Sequence, residues 1–510
     1  MSRPESERER VLRKVRRRLV PFAFICYVVA YIDRVNVSFA ASALQRDLGL
    51  SSTEFGVGAG LFFLGYCLFE IPSNLIMERV GARLWIARIM IGWGLVSMAT
   101  CVISGPASFM ASRVLLGIAE AGFFPGMILY LTYWIPASDR ARTGALFMMA
   151  APVAVIVGAP LSEALLKLDG TLGLHGWQWL FLVEGLPAVA MGVLSLVILT
   201  DQPQSALWLS PDDRVVLAEM MASDRAQREA VGYTSLRKTF VSGSLWLLCG
   251  VFFMNTVVTY GIFLWLPKLL QDVSGATGFT LSTITSVPFV AALIAMPIVG
   301  RHSDRTGERR WHVAACAVTS AAGLLLAVAA QHNMALLVLS FTLSQMAQRS
   351  LVGVFWALPP QFLGGSAAAA GIALINSIGN LGGFVGPALI GMLHDLTGSY
   401  TGGMLMLAGA LVLEALLVVA LRLPPETGIT GTAPAAVAGN DDDIQPSVVR
   451  LGRAAPLPGA AAGGTAHDAV RSWRSAIHLA RIARARAAHL WRRQGSRLED
   501  DPAGVLGTGR

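Results

Sequence analysis

Twelve stretches of about 20 mostly apolar residues punctuate the chain, each the length an α-helix needs to cross the hydrocarbon of a bilayer. Bounded by charge clusters or Gly/Pro turns, they run over 20–43, 55–77, 84–104, 108–135, 142–167, 177–200, 242–270, 280–300, 311–330, 334–358, 367–394 and 402–422. Short polar links join most of them, but residues 201–241 form one long charged connection after the sixth. The charges are distributed to match. Of 72 charged side chains, 42 fall in the 402 residues from Pro21 to Arg422, about one residue in ten, while the two ends hold the rest. With 54 % hydrophobic residues over 510 positions, the chain must use lipid as part of its solvent. The expected fold is an all-α integral membrane body of twelve transmembrane helices in two six-helix bundles.

Several classes drop out. The five cysteines lie inside apolar runs without paired spacing, and the eight histidines form no ligand motif, so neither a disulfide framework nor a zinc enzyme is implied. The formal charge of +8 comes mostly from the two ends, which gives no reason to expect a nucleic-acid partner. The basic start, Arg13 to Arg18, runs into a long span lacking a small-residue cleavage site, so the first span anchors the chain instead of leaving as a signal.

Orientation follows from Lys and Arg near the spans. Alternate links are basic: eight such residues before the first span, then Arg79 and Arg83, Arg140 and Arg142, five in the central connection, and Arg301, Arg305, Arg309 and Arg310. The opposite links carry only Arg46, Lys167 and Lys268. Both termini and the central connection are therefore expected in the cytoplasm. The 359–366 link has no basic residue and breaks the pattern without explanation. The expected domains are a basic N-terminus (1–19), a first bundle (20–200), a central loop (201–241), a second bundle (242–422) and a tail (423–510). The tail turns arginine-rich from Arg471 to Arg497; it reads either as disordered or, over Val470 to Trp491, as a basic amphipathic helix on the inner leaflet.

The halves also repeat one another. A shift of 226 places Glu78 on Asp304, Arg79 on Arg305, Gly81 on Gly307 and Arg83 on Arg309, each between spans two and three of its half. A carboxylate and guanidiniums across a glycine turn can latch neighbouring helices in one conformation and release them in another; the plainer reading is that basic residues merely hold the link inside. This acid-Arg-x-Gly-x-Arg pattern resembles the hallmark of the major facilitator superfamily. Tyr31-Ile-Asp-Arg-Val-Asn, Phe69-Glu-Ile-Pro-Ser-Asn, Gly117-Ile-Ala-Glu-Ala-Gly-Phe-Phe-Pro-Gly and the glycine-rich run from Gly371 to Pro387 more narrowly resemble its anion:cation symporter family, permeases of sugar acids, tartrate, phthalate and hydroxyphenylacetate. The resemblance covers about residues 20–425.

Ionisable groups inside spans cost about 2.5–3.5 kcal/mol or more each, so they line cavities or pair. Tyr31, Arg34 and Ser38 share one face of the first span, with Asp33 beside them, and Arg113 and Glu120 lie two turns apart on the fourth. Arg34, an obligate cation with a fork matched to carboxylate, is the expected substrate anchor, with hydroxyls from Tyr31 and Tyr66. Asp33 and Glu120 are the expected proton carriers, their proton affinity raised by burial and opposed by a nearby guanidinium, with Arg113 in the same coupling group. The alternative for Arg113 and Glu120 is an ion pair that only joins helices. The resemblance implies these roles for Asp33, Arg34, Arg113 and Glu120, and places Trp356 and Asn376 at the binding cavity. Asn255 and Tyr260 are secondary candidates, and Asn380 serves either the cavity or packing. Glu70, Glu163, Glu184, Arg88 and Arg349 carry no spacing argument, and Glu414 reads as lying near a span end.

Bringing one negative charge into a cell at about −100 mV opposes about 2.3 kcal/mol, so the expected function is import of a small organic carboxylate by proton symport. No cofactor is expected beyond the proton as coupling ion. The expected setting is the inner (plasma) membrane, as a monomer. A proton-driven exporter is the runner-up, disfavoured because the fifth span reads Gly158-Ala-Pro160 without the glycine-proline run of efflux relatives. A membrane sensor is remoter still.

Overall fold

The computed structural model describes residues 5–230, 241–359 and 365–421, in which every extended element is helical. Among the described residues eleven helical segments are long and apolar enough to cross a membrane. In the first half they are Ser6–Phe39, Ser52–Val80, Ala82–Val102, Pro106–Thr132, Ala137–Leu166 and Gly176–Ile198, spans 1 to 6. In the second they are Gly243–Ser274, Gly278–Thr306, Arg310–Ala329, Ala370–Thr397 and Thr401–Val419, spans 7 to 9, 11 and 12. Span 10 is Met334–Phe355, a helix of 22 residues packed on spans 8 and 9. Gln345, Gln348 and Arg349 are all buried on it. With span 10 the described residues hold twelve helices of membrane length, the number the apolar stretches predict.

Span ends follow local chemistry. Span 2 starts at a reciprocal cap, where the Glu54 amide donates to Ser51 Oγ at 3.1 Å and the Ser51 amide to Glu54 Oε2 at 2.9 Å. Span 8 ends at Gly307, whose φ of +70° suits a residue without Cβ. The basic N-terminal segment is part of one helix with span 1, Glu5–Phe39. The central connection contains a helix too, Pro211–Ala230. The tail expected over 423–510 lies outside the described residues.

The halves meet where span 1 packs on 7, span 2 on 11, and span 5 on 8. Contact is close enough to require glycine: a Cβ on Gly391 of span 11 would lie 2.2 Å from the carbonyl oxygen of Ser52 on span 2. Within the first half, a Cβ on Gly117 of span 4 would lie 2.0 Å from the carbonyl oxygen of Phe62 on span 2, so backbones there touch directly.

On the face away from the basic links, the Ser52 and Thr53 amides donate to the Asp395 carboxylate at 3.0 and 2.6 Å, and Ser42 Oγ donates to Gln271 Oε1 at 2.6 Å. These bonds join the two halves. On the basic face, Lys14 Nζ donates to Asp213 Oδ2 at 2.6 Å and Arg10 Nη2 to Oδ1 at 3.3 Å, tying the N-terminal turns to the connection helix. Burial alone would raise the Asp213 carboxyl; hydrogen bonds from Lys14 and Ser210, with the charges of Lys14 and Arg10, outweigh it and hold the group below the ordinary carboxylate range.

Candidate substrate cavity

A cavity of about 90 Å³ lies between the halves. The first half contributes Tyr31, Arg34 and Tyr66 to its wall, and the second contributes Tyr260, Trp356 and Asn376. All six substrate candidates thus converge, although they come from spans 1, 2, 7, 10 and 11. Asn255 and Asn380 line it as well.

Arg34 is the centre of the first-half wall. Its Nε donates to Glu120 Oε1 at 2.8 Å, Nη2 reaches the same oxygen, and Nη1 donates to Tyr260 Oη at 3.4 Å across the halves. Its guanidinium carbon stands 5.3 Å from each of the Tyr31, Phe62 and Tyr66 ring centres. Planar cation on aromatic faces is a favourable arrangement in dry surroundings, and here it fixes the fork.

Glu120 is fully buried and ends the helix Pro106–Glu120, where the chain turns at Gly122 with φ +87° before span 4 resumes. Its Oε2 has no hydrogen-bond partner. Glu120 therefore pairs with Arg34 of another span, and Arg113, whose Nε and Nη1 are buried without partners, lies over the Phe62 ring at 5.5 Å. Asp33 is off the cavity wall. It accepts from Trp93 Nε1 at 2.8 Å and Ser97 Oγ at 2.9 Å on span 3, and from Asn36 Nδ2 at 3.4 Å. Ser38, expected on the Tyr31 face, donates instead to the Val35 carbonyl at 2.6 Å.

At the repeated links, Arg309 Nη1 pairs with Asp304 Oδ1 at 2.6 Å, joining the end of span 8 to the start of span 9. In the first half the carboxylate at the turn is Asp201, from the end of span 6, which accepts from the Arg83 amide at 2.8 Å. Glu78, Arg79 and Arg305 occupy the same turns.

Glu70, Glu163, Glu184 and Arg349, left without a role in the sequence, are all buried, as is Glu414. Glu70 on span 2 accepts from Asn376 Nδ2 on the other half at 2.6 Å. Tyr66, four residues before it on the same face, was the available signal. Glu414, in the last turns of span 12, is fully buried and accepts from Asn255 Nδ2 at 3.2 Å. Arg349 stands on the cavity wall, two turns before Trp356 on the same helix.

The sequence profile of the Major Facilitator Superfamily matches residues 23–283 and 269–491. The chain belongs to the major facilitator superfamily. Among superfamily relatives, a protein of Agrobacterium vitis provisionally named a tartrate transporter is 47 % identical over 82 % of this chain and 96 % of its own. A quinolone resistance transporter of Acinetobacter baumannii is 39 % identical over 78 % and 92 % respectively. The superfamily fold recurs in the partially occluded inward open structure of the xylose transporter XylE from E. coli, with a TM-score of 0.61 at 14 % identity over 79 % of this chain and 98 % of that one. The protein is a multi-pass membrane transporter and not an enzyme.

Proposed function

We propose that the protein imports a small organic carboxylate together with protons, by rocking its two halves about the cavity between them. The observation that carries this reading is the bond from Arg34 to Glu120. A guanidinium on the cavity wall is already held by a buried carboxylate, so an incoming carboxylate competes with Glu120 for the same fork. Displaced into dry surroundings, Glu120 favours its protonated form. Substrate arrival and proton uptake are thereby coupled, each promoting the other. Asp33, with its own donors on span 3, is the second group placed to carry a proton. The name of the Agrobacterium vitis relative supports a carboxylate cargo.

In this reading the basic face is cytoplasmic, with both termini and the connection helix on that side of the inner membrane. Each chain holds a complete cavity, so a monomer suffices, and no nucleic acid is involved. The link residues Glu78, Arg79, Arg83, Asp304, Arg305 and Arg309 act as cytoplasmic latches whose pairs reform in each cycle. Asn376 serves the cavity when substrate is bound and Glu70 when it is not.

The test is uptake into proteoliposomes carrying an inward proton gradient. Accumulation of a labelled carboxylate that collapses with a protonophore supports the reading, and indifference to pH gradient and organic acid alike refutes it. A second reading, proton-driven export, draws on the relative named for quinolone resistance. Reversing the gradient in the same vesicles with a fluoroquinolone as cargo separates the two.

A further inference from the structure

We propose that Arg349 is a second anion-binding residue of the cavity, so that the site takes a dicarboxylate with one carboxylate on Arg34 and the other on Arg349. The inference rests on the carboxylate reading above and narrows it.

Besides its tyrosines, the described cavity wall carries two ionisable side chains, Arg34 from span 1 and Arg349 from span 10. Their surroundings differ. Arg34 has Glu120 as its counter-charge. Arg349 is 6 % exposed, and among the described residues no carboxylate lies within ion-pair distance of it. Its Nε donates to the neutral Gln345 Oε1 at 3.3 Å, and its buried Nη2 has no hydrogen-bond partner. The guanidinium carbon stands 5.1 Å from the Phe263 ring centre and 5.6 Å from that of Phe289, which orients the fork without neutralising it. A buried guanidinium lacking both a counter-charge and a full set of acceptors is unfavourable unless something anionic completes it.

The two cations reach one aromatic cluster from opposite halves. Tyr31, under Arg34, lies 5.9 Å from Phe263, and Phe263 lies under Arg349. Tyr260, which accepts from Arg34, is 6.3 Å from the same ring. A monoacid meets one fork. A diacid meets both, and with Glu120 protonated the two guanidiniums face two carboxylates. Because the forks sit on different halves, the diacid also bridges the parts that move, whereas a monoacid can be held by one half alone.

The full-length protein in proteoliposomes is tested by counterflow competition with three matched pairs differing in one carboxylate: tartrate and threonate, glucarate and gluconate, phthalate and benzoate. We expect the wild type to prefer the diacid of at least one pair by about tenfold or more. Arg349→Gln should weaken that diacid about tenfold while its monoacid changes less than about threefold, with Arg349→Lys between. Equal affinity for both members of every bound pair overturns the inference, as does an Arg349→Gln protein that loses both members equally. Should the glutamine variant fold poorly, the wild-type preference and Arg349→Lys decide the matter: a reduced diacid preference in the lysine variant supports the inference, and the full wild-type preference overturns it. No binding of any of the six acids refutes the carboxylate reading itself, a distinct outcome.

Discussion

Arg34 of span 1 and Glu120 of span 4 are bonded through Nε at 2.8 Å, with Glu120 fully buried and its second oxygen unpartnered. The pair is thus both formed and incomplete. A guanidinium with one committed edge can exchange its partner for a stronger one, and a carboxylate with a free oxygen has room for a proton.

Replacing Arg34 by alanine should therefore abolish substrate binding, weakening it about 100-fold or more in equilibrium binding or counterflow, since a buried charge-assisted pair is lost. Arg34→Lys should recover little, because a point charge cannot offer the fork. Normal uptake by either variant would remove Arg34 from this role.

Glu120→Gln should separate exchange from accumulation. The neutral amide still fits beside Arg34, so counterflow of labelled substrate should persist within about tenfold, while uphill uptake driven by a proton gradient disappears. Concentrative uptake at the wild-type level would place proton coupling elsewhere, with Asp33 the first group to test by Asp33→Asn.

Gly117→Ala tests placement. The added Cβ would meet the Phe62 carbonyl oxygen at 2.0 Å, and neither backbone can yield without parting spans 2 and 4. The variant should lose about 2–3 kcal/mol of stability and transport together, because Glu120 is one turn further along the displaced helix. A melting temperature equal to the wild type would mean that the spans separate freely.

Asp213→Asn probes the N-terminal turns. The Asp213 carboxyl is held below the ordinary carboxylate range in the fold, so its contribution is full above the unfolded value near pH 4 and fades as pH falls through the folded one. The partners are half-exposed, with Lys14 at 49 % and Arg10 at 59 %, so a loss of about 1 kcal/mol at pH 7 is expected. Thermal melts of wild type and variant should converge towards pH 3. A gap that persists there would point to packing instead of charge.

Span number and order were legible because hydrophobic runs of membrane length have few other uses. Most edges moved by a few residues, as at 55–77 against Ser52–Val80 and 242–270 against Gly243–Ser274, but the first helix starts at Ser6 and not at 20. The Pro211–Ala230 helix was hidden by its charge, since a polar amphipathic helix looks like a loop when membrane spans set the scale. Helical spacing put Tyr31, Arg34 and Ser38 on one face; Tyr31 and Arg34 line the cavity and Ser38 does not. Spacing could not say that Glu120 would find Arg34 in place of Arg113, because periodicity identifies faces and leaves partners to tertiary packing. Arg349 escaped for a related reason: read alone it had no motif, whereas read with Trp356, two turns on, it marks a face.

The bonds that the Ser52 and Thr53 amides donate to Asp395 fasten one side of the molecule with a carboxylate on one half and main-chain donors on the other. Main-chain donors survive every substitution except proline, so sequence drift at positions 52 and 53 leaves that fastening in force. The main-chain part of the fastening depends on a single aspartate, so its strength can be retuned by altering that one side chain without redesigning its frame.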